Sequence, residues 1–345
     1  MAVRRALAGW AASLLLLGGC QPHAETLAAG PIRSGGLTFT VNPGQADRTL
    51  GSLRRLDDHP LYEMTYEGSS PRVARLPSSA AASAGARRGP YGCTVFLAAG
   101  DPARPVVGRN FDWDRNPALL LVSRPRDGFD SISLVDMSYL GFDAGHLDDL
   151  DDARKRRALL RAPALPFDGL NEYGLAVGMA AVDDGSAVRR PGTPVIGSLA
   201  VIRLALDTTR TVDEAIAVFS SYEIDFTGGP PLHYLIADAG GGSAVVEFVA
   251  GQMRVVRRTG SWQLMTNFHL STSGAALRDA DWRWRTGSTR LDQAGGRFDP
   301  DGALGLLREV RQGHTQWSVA YDLRAGTAAI VTAQQYARVH HASLR

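Results

Sequence analysis

Apolar positions in this chain come in short dense runs separated by turn residues. That rhythm belongs to buried strands more than to long amphipathic helices. Residues 94–99 (TVFLAA) and 105–111 (PVVGRNF) flank Gly100-Asp101-Pro102 and read as a hairpin. Residues 119–123 and 131–135 are further strands, and 61–66 (LYEMTY) mixes apolar and β-favouring side chains. The glycine-punctuated stretch 170–181 is apolar throughout, 232–237 and 244–249 face each other across Gly240-Gly241-Gly242, and 263–267 is another strand. Residues 317–323 answer 327–331 around Gly326. Helical signals stand between these groups. Residues 148–161 run acidic then basic, which suits a helix dipole, and 196–206 read as a buried helix. Thr211-Val212-Asp213-Glu214 is a capping box that opens a helix through Tyr222, and Asp299-Pro300-Asp301 opens another. Antiparallel hairpins with grouped helices predict an α+β fold, its sheet packed between helical layers. No internal repeat is present.

The amino end follows a different rule. Arg4 and Arg5 precede an apolar run over 6–17, which is short for a membrane span and closes with Leu17-Gly18-Gly19-Cys20. This is the layout of an export signal, and the small residues before Cys20 resemble a lipoprotein lipobox. The expectation is a signal over 1–20, acylation at Cys20, and a protein held by that lipid at the outer face of a bacterial membrane, the alternative being plain secretion. Residues 21–43 read as a linker. Residues 78–90 (SSAAASAGARRGP) read as an exposed, flexible loop.

Composition changes little in this picture. The 345 residues are 44% hydrophobic and 21% charged with a net charge of +2, ordinary values for a globular protein. Lys155 is the single lysine. No basic stripe alternates with aromatics, which argues against a nucleic-acid partner. No cofactor motif is present. The histidine spacings do not suggest a metal site: His233 reads as a packed strand residue, and His340-His341 as tail. The Asp148–Asp152 cluster lacks the glycine and terminal glutamate of a calcium loop.

The candidate chemistry lies at Cys93. With Cys20 assigned to the anchor, Cys93 is a lone thiol immediately after Gly92, with Arg109 and Asp112 close behind in sequence. An unperturbed thiol, with a pKa of about 8.5, needs a base or a neighbouring positive charge to act at neutral pH. A break between Gly92 and Cys93 would provide one. The freed α-amine, with an unperturbed pKa of about 7.7–8.0, would sit covalently beside its own thiol. In the expected hairpin Arg109 and Asp112 fall near the start of the Cys93 strand, so Arg109 would favour the thiolate and Asp112 would orient the amine. Gly92, lacking a Cβ, lets the thiol reach the preceding carbonyl.

Gly92-Cys93-Thr94 with Gly108-Arg109-Asn110-Phe111-Asp112-Trp113 resembles the nucleophile region of the choloylglycine hydrolase and penicillin acylase-type linear amide hydrolases, in the N-terminal nucleophile superfamily. Further stretches match in the family's order: Asp168-Gly169-Leu170-Asn171-Glu172-Tyr173-Gly174-Leu175, Leu232 to Asp238 followed by Val246-Glu247, Met265-Thr266-Asn267 and Thr315-Gln316-Trp317-Ser318. The resemblance implies a four-layer αββα sandwich over 93–345, with 21–92 as linker and pro-segment. It implies acyl transfer through a thioester on Cys93 after self-cleavage, with a small-molecule acyl amide as substrate. Arg109 and Asp112 would hold the nucleophile and Asn267 would donate to the oxyanion. Arg290, in Ser288-Thr289-Arg290-Leu291, matches the family's site arginine, with Arg283 and Arg285 close by. Ala180-Ala181 stands where bile-salt hydrolases carry an asparagine, which turns the expectation away from bile salts. Two other readings remain: a Cys/His hydrolase that keeps its chain intact, and a lipid-anchored binding protein on the same fold. Trp282 and Trp284 suit either an acyl pocket or plain packing.

Overall fold

The computed structural model describes residues 30–74, 92–186 and 190–345. The expected signal, Cys20 and the loop over 78–90 lie outside the described residues.

Two large sheets form the centre. A six-stranded antiparallel sheet runs in the order Trp262–Met265, Gly92–Ala98, Val106–Asp112, Thr315–Asp322, Thr327–Thr332, His340–Ser343. A nine-stranded sheet runs Gln252–Arg257, Ser243–Val249, Leu232–Ala237, Ala176–Ala181, Asp168–Asn171, Ser131–Asp136, Ala118–Ser123, Leu61–Tyr66, Arg54–Arg55. Its one parallel pairing joins Leu61–Tyr66 to Ala118–Ser123.

Strand alternation sorts the layers. Cys93, Val95 and Leu97 project into the core between the sheets, while Phe96 and Ala98 project the other way, into a cluster with Leu291, Leu304 and Leu307. Both faces are therefore covered, which is why these strands read as unbroken apolar runs instead of alternating ones. Helices Trp282–Gln293 and Pro300–Glu309 cover the six-stranded sheet. Helices Ala200–Thr208 and Val212–Ser220 cover the nine-stranded one. The result is the expected αββα sandwich. The sheets approach closely at Gly178, where an added Cβ would come within 2.9 Å of Val95.

The Thr211 capping box forms as expected, with reciprocal 3.3 Å bonds between Thr211 and Glu214. Elsewhere the structure departs from the pattern. Residues 148–161 do not make one helix. They break into short turns with a single helical turn, Ala153–Arg156, because Asp152 caps a new start and Pro163 ends the run. The stretch 196–206 divides into a strand, Val195–Gly197, paired parallel to Glu223–Asp225, and then a helix from Ala200. The segment read as linker holds a hairpin, Ile32–Ser34 with Leu37–Phe39, and leads to a helix, Pro43–Gly51, with an Asn42/Gln45 capping box. The tail is also structured. His340–Ser343 extends the six-stranded sheet, and His340 Nε2 lies 2.9 Å from Asp57 Oδ2. Asp57 also accepts from His59 and Leu61 N–H and from the Thr332 hydroxyl, so one buried carboxylate ties the segment before Cys93 to the sheet after it. Leu61, Met64 and Tyr66 are fully buried, each worth about 1.5–3 kcal/mol of transfer free energy.

Candidate active site

Cys93 is 2% exposed and lines a cavity of about 350 Å³ between the two sheets. Phe111, Trp113, Tyr139, Phe167, Met179 and Leu232 give the cavity an apolar wall. Arg33, Arg161 and Asp225 also line it, the two arginines with exposed side chains.

Hairpin register sets the first neighbours. Gly92 pairs with Asp112, Cys93 with Phe111 and Val95 with Arg109. The structure therefore brings Arg109 and Asp112 beside the thiol, as their spacing suggested. Arg109 is fully buried and ion-paired to Asp168, and its Nε donates to Met179 O at 3.2 Å. Trp317 Nε1 and the Tyr321 hydroxyl also donate to Asp168, at 3.1 and 2.5 Å. The Asp112 carboxylate accepts from the Thr315 hydroxyl and, at 3.0 Å, from Gln312 Nε2. The Thr315–Ser318 motif thus grips the C-terminal end of the strand beside it. Gln316 Nε2 donates to Trp113 O at 2.7 Å and the Ser318 hydroxyl to Asn110 Oδ1 at 2.6 Å.

Asn267 comes from the connection after Trp262–Met265. Its Oδ1 accepts from the Cys93 N–H at 2.8 Å and from Arg283 Nη1 at 2.9 Å, while its Nδ2 donates to Ala181 O at 2.8 Å. Both partners of Oδ1 are donors only and the partner of Nδ2 is an acceptor only, which fixes the orientation of the amide. Nδ2 carries two hydrogens, and Ala181 O takes one. The ladder explains why that carbonyl is free for the contact. Val182 N–H bonds to Pro231 O, so Ala181 and Met179 sit at the alternating positions whose N–H and C=O groups turn away from Leu232–Ala237. Their neighbour on that side, Asp168–Asn171, pairs only as far as Gly178. Arg109 and Asn267 therefore hold two successive outward carbonyls of one strand.

The arginine at the site is Arg283. Its Nη1 donates to Cys93 O at 2.8 Å as well as to Asn267, and its Nη2 pairs with Asp281 at 3.1 Å. Arg290, the residue chosen from the sequence, is not brought to the site. It lies on the surface and pairs with Glu309 at 3.1 Å. Both belong to the helix Trp282–Gln293 and lie near one face of it, but seven residues separate them by about 10.5 Å along the axis. Only the capped end of the helix abuts Cys93. Arg285 instead donates to Asp279 O. The signal for Arg283 was Asp281, which caps the helix by accepting from the N–H groups of Arg283 and Trp284. Neither tryptophan lines the cavity: Trp282 is 42% exposed and Trp284 packs on Phe268.

Burial pushes the Cys93 thiol pKa up. Arg109, a hydrogen bond from the Asp112 backbone and Arg283 pull it back, while the Asp112 charge adds to the rise. Burial also raises Asp112, against the hydrogen bonds from Thr315 and Gln312. In the continuous chain the thiol is therefore held in its neutral form. At Gly92 the Gln312 side chain stands 1.7 Å from where a Cβ would lie, so any larger residue there would displace a partner of Asp112.

Residues 166–286 match the family of acyl-coenzyme A:6-aminopenicillanic acid acyl-transferase. No curated protein matches the chain. Among solved structures, penicillin V acylase from Agrobacterium tumefaciens is similar with a TM-score of 0.52 at 18% identity, over 73% of this chain and 86% of that one. A mutant conjugated bile acid hydrolase from Clostridium perfringens is similar with a TM-score of 0.51 at 15% identity, over 73% of this chain and 92% of that one. Paired sheets between helical layers, the Cys93 hairpin within them and these likenesses agree: the chain has the N-terminal nucleophile hydrolase fold, of the choloylglycine hydrolase-like kind.

Proposed function

We propose that this protein hydrolyses a linear, non-peptide amide through a thioester on Cys93, after cutting its own chain between Gly92 and Cys93. The observation that carries this reading is the placement of Cys93. Its thiol lines an apolar cavity, and its main-chain N–H and C=O are held by Asn267 and Arg283. In maturation the thiol adds to the Gly92 carbonyl and the amide nitrogen leaves with a proton as the Cys93 amine. Water then releases Gly92 as a carboxylate. The new amine keeps Asn267 Oδ1 as its acceptor. In turnover it takes the thiol proton, and the thiolate adds to the substrate carbonyl. The second Nδ2 hydrogen of Asn267 and the Ala181 N–H serve the oxyanion. The leaving amine takes the proton, and water resolves the thioester.

The aromatic wall suits an apolar acyl group, and the exposed Arg33 and Arg161 at the rim suit an acidic amine portion. N-acyl amino acids and penicillins fit this better than N-acyl-homoserine lactones, which carry no negative charge. Bile salts fit less well, since Ala181 contributes no side-chain amide. His233 and His269 face Glu247 and not Cys93, so of the three histidines a Cys/His reading could use, only His314, near Asp112, is left to it. Because Asp57 and Leu61–Tyr66 bind the upstream segment into the fold, that segment is expected to stay docked after the cut.

The test is intact mass and terminal sequencing of the exported protein, followed by a panel of acyl amides. A new terminus at Cys93, two fragments that co-elute under native conditions, and an acyl adduct on Cys93 are the expected results. A fully active protein whose chain is continuous through Cys93 would sink the self-cleavage reading. The lipid anchor at Cys20 is a separate proposal, resting on Leu17-Gly18-Gly19-Cys20. Cys20→Ser should release the protein from the membrane or leave its signal uncut.

A further inference from the structure

His233, Glu247 and His269 are far apart in the chain, and each spacing alone means nothing. The fold brings them together. His233 lies on Leu232–Ala237, Glu247 on its hairpin partner Ser243–Val249, and His269 in the connection that carries Asn267. All three are buried, and one donor atom from each lies within 4.8 Å of the others. His233 Nδ1 is 3.5 Å and His269 Nδ1 3.9 Å from Glu247 Oε1.

The outer nitrogens decide what this cluster is for. His233 Nε2 lies 2.7 Å from Thr266 O, and His269 Nε2 lies 3.4 Å from Asp184 O and 3.3 Å from its carboxylate. These partners are acceptors only, so each Nε2 carries the hydrogen. In the neutral rings both Nδ1 atoms are then lone pairs, aimed inward at a carboxylate oxygen. His269 Nδ1 has no hydrogen-bond partner although the residue is only 5% exposed. Unless His233 is doubly protonated and donates Nδ1–H to Glu247, which their 3.5 Å contact allows, three lone pairs converge in a buried space and repel one another until a cation lies between them. A ring whose outer N–H is anchored on a carbonyl while its inner nitrogen is left bare is also the usual arrangement of a metal-bound histidine. Glu247 Oε1 accepts from Leu270 N–H and Oε2 from Ser271 N–H, which orients the carboxylate and leaves Oε1 a lone pair to give.

We propose that His233, Glu247 and His269 bind one divalent transition-metal ion, zinc by the chemistry of the donor set, beneath the Thr266–Asn267 segment. Two imidazoles and one carboxylate are a familiar zinc set, and tetrahedral bonds of about 2.0–2.1 Å put the donors about 3.4 Å apart, so the 3.5 Å and 3.9 Å contacts to Glu247 need only close slightly on an ion. The ion would clip the hairpin of one sheet to the connection that leaves the other. Its effect on the reaction would be indirect: it would fix the main chain from which Asn267 reaches Cys93. The site stands whether or not Cys93 is cleaved.

The experiment uses the untagged full chain with Cys20→Ser and Cys93→Ala, which removes both competing thiols. Protein from zinc-supplemented cells is assayed for metal by mass spectrometry. It is then stripped with a chelator, checked for retained fold by circular dichroism, and titrated with cobalt(II). Expected are about one zinc per chain, a lower Tm on stripping that zinc restores, and a visible cobalt spectrum of the tetrahedral type. His269→Ala should lose the bound zinc, weaken cobalt binding at least tenfold and leave a Tm that chelator no longer moves. His146→Ala, at an exposed histidine, should behave as the parent. Folded parent protein with under a tenth of an equivalent of zinc and no cobalt spectrum would overturn the proposal, as would His269→Ala binding cobalt like the parent.

Discussion

Cys93 lies between two arginines that do opposite kinds of work. Arg109 is sealed between the sheets, with Asp168, Trp317 and Tyr321 closing a network that no substrate reaches. Arg283 stands at the end of a helix and touches the Cys93 carbonyl and the Asn267 side chain. The first belongs to the scaffold and acts on the thiol only through its field. The second belongs to the groups that must hold Cys93 if its chain is cut. Damage to the first should therefore appear mainly as lost stability, and damage to the second mainly as lost turnover.

The largest effect should come from breaking the inner network on one side. Asp168→Ala leaves Arg109 charged and unpaired in the core, a change of the kind that costs about 3–5 kcal/mol. At this size, with an unfolding entropy of about 2.1 cal/mol/K per residue, that is a fall in Tm of about 4–8 °C. Replacing both partners, Arg109→Met with Asp168→Leu, removes the stranded charge but leaves the buried Trp317 Nε1 and Tyr321 hydroxyl without their acceptor, so it should recover only part of the loss. Thermal unfolding in a Cys93→Ala background measures this apart from cleavage. Equal losses in the single and double variants would mean that the pair holds the sheets together in its own right.

On the other side, Asn267→Ala should leave the unfolding free energy within about 1–2 kcal/mol of the parent while lowering kcat about 10²–10³-fold, a barrier higher by about 2.7–4 kcal/mol, with little change in KM. An oxyanion donor acts in the transition state, so its loss appears in kcat. A variant that only raised KM would assign Asn267 to substrate binding, and the comparison between the two regions would lose its sharpest contrast.

The inner region was legible in the sequence and the outer one only in part, for a physical reason. Arg109 and Asp112 sit on the strand paired with Cys93, and hairpin register carries sequence spacing directly into space. Trp317 and Tyr321 follow from strand alternation once that pairing is known. Arg283 comes from a separate helix whose approach depends on packing, and the match at Ser288–Leu291 drew attention two turns too far along it. The hairpin Ile32–Ser34 with Leu37–Phe39 was hidden for a similar reason: its strands are three residues each and set among glycines, and they are held by packing against residues 157–164. His340–Ser343 is an edge strand with only half-buried alternate positions, so its polar composition read as tail. The His233–Glu247–His269 cluster is assembled from two strands and a connection, which no local spacing records.

Cleavage itself should change the thiol. In the continuous chain burial holds Cys93 neutral, with its pKa above the ordinary thiol value. Alkylation by iodoacetamide reports the thiolate fraction. On freshly refolded, uncut chain its rate should climb about tenfold per pH unit through pH 9, or about 1.4 kcal/mol per unit. The sign follows from the raised pKa: the thiolate is scarce below it and gains steadily as pH rises toward it. After cleavage the adjacent amine supplies a base, and the rate should level off at lower pH. A flat profile between pH 7 and 9 in the uncut chain would show that the scaffold already ionises the thiol, leaving the amine no part in activation.

The smallest effect sharpens the comparison most cheaply. Arg290 pairs with Glu309 where both side chains are more than 40% exposed, a pair worth about 0–1 kcal/mol. Arg290→Ala should leave cleavage, kcat and KM at parent values and move Tm by no more than about 2 °C. Arg283→Ala, on the same helix, removes the donor to Cys93 O and one of the two donors that fix the Asn267 amide, so that amide becomes free to turn. It should slow both maturation and turnover, and Arg283→Lys should recover little, since one ammonium cannot reproduce the forked contact with Asp281, Asn267 and Cys93. If Arg290→Ala impaired turnover as much as Arg283→Ala, the helix would be acting as a unit through its seating on the sheet. The division between an arginine that holds the scaffold and one that holds the nucleophile would then fail.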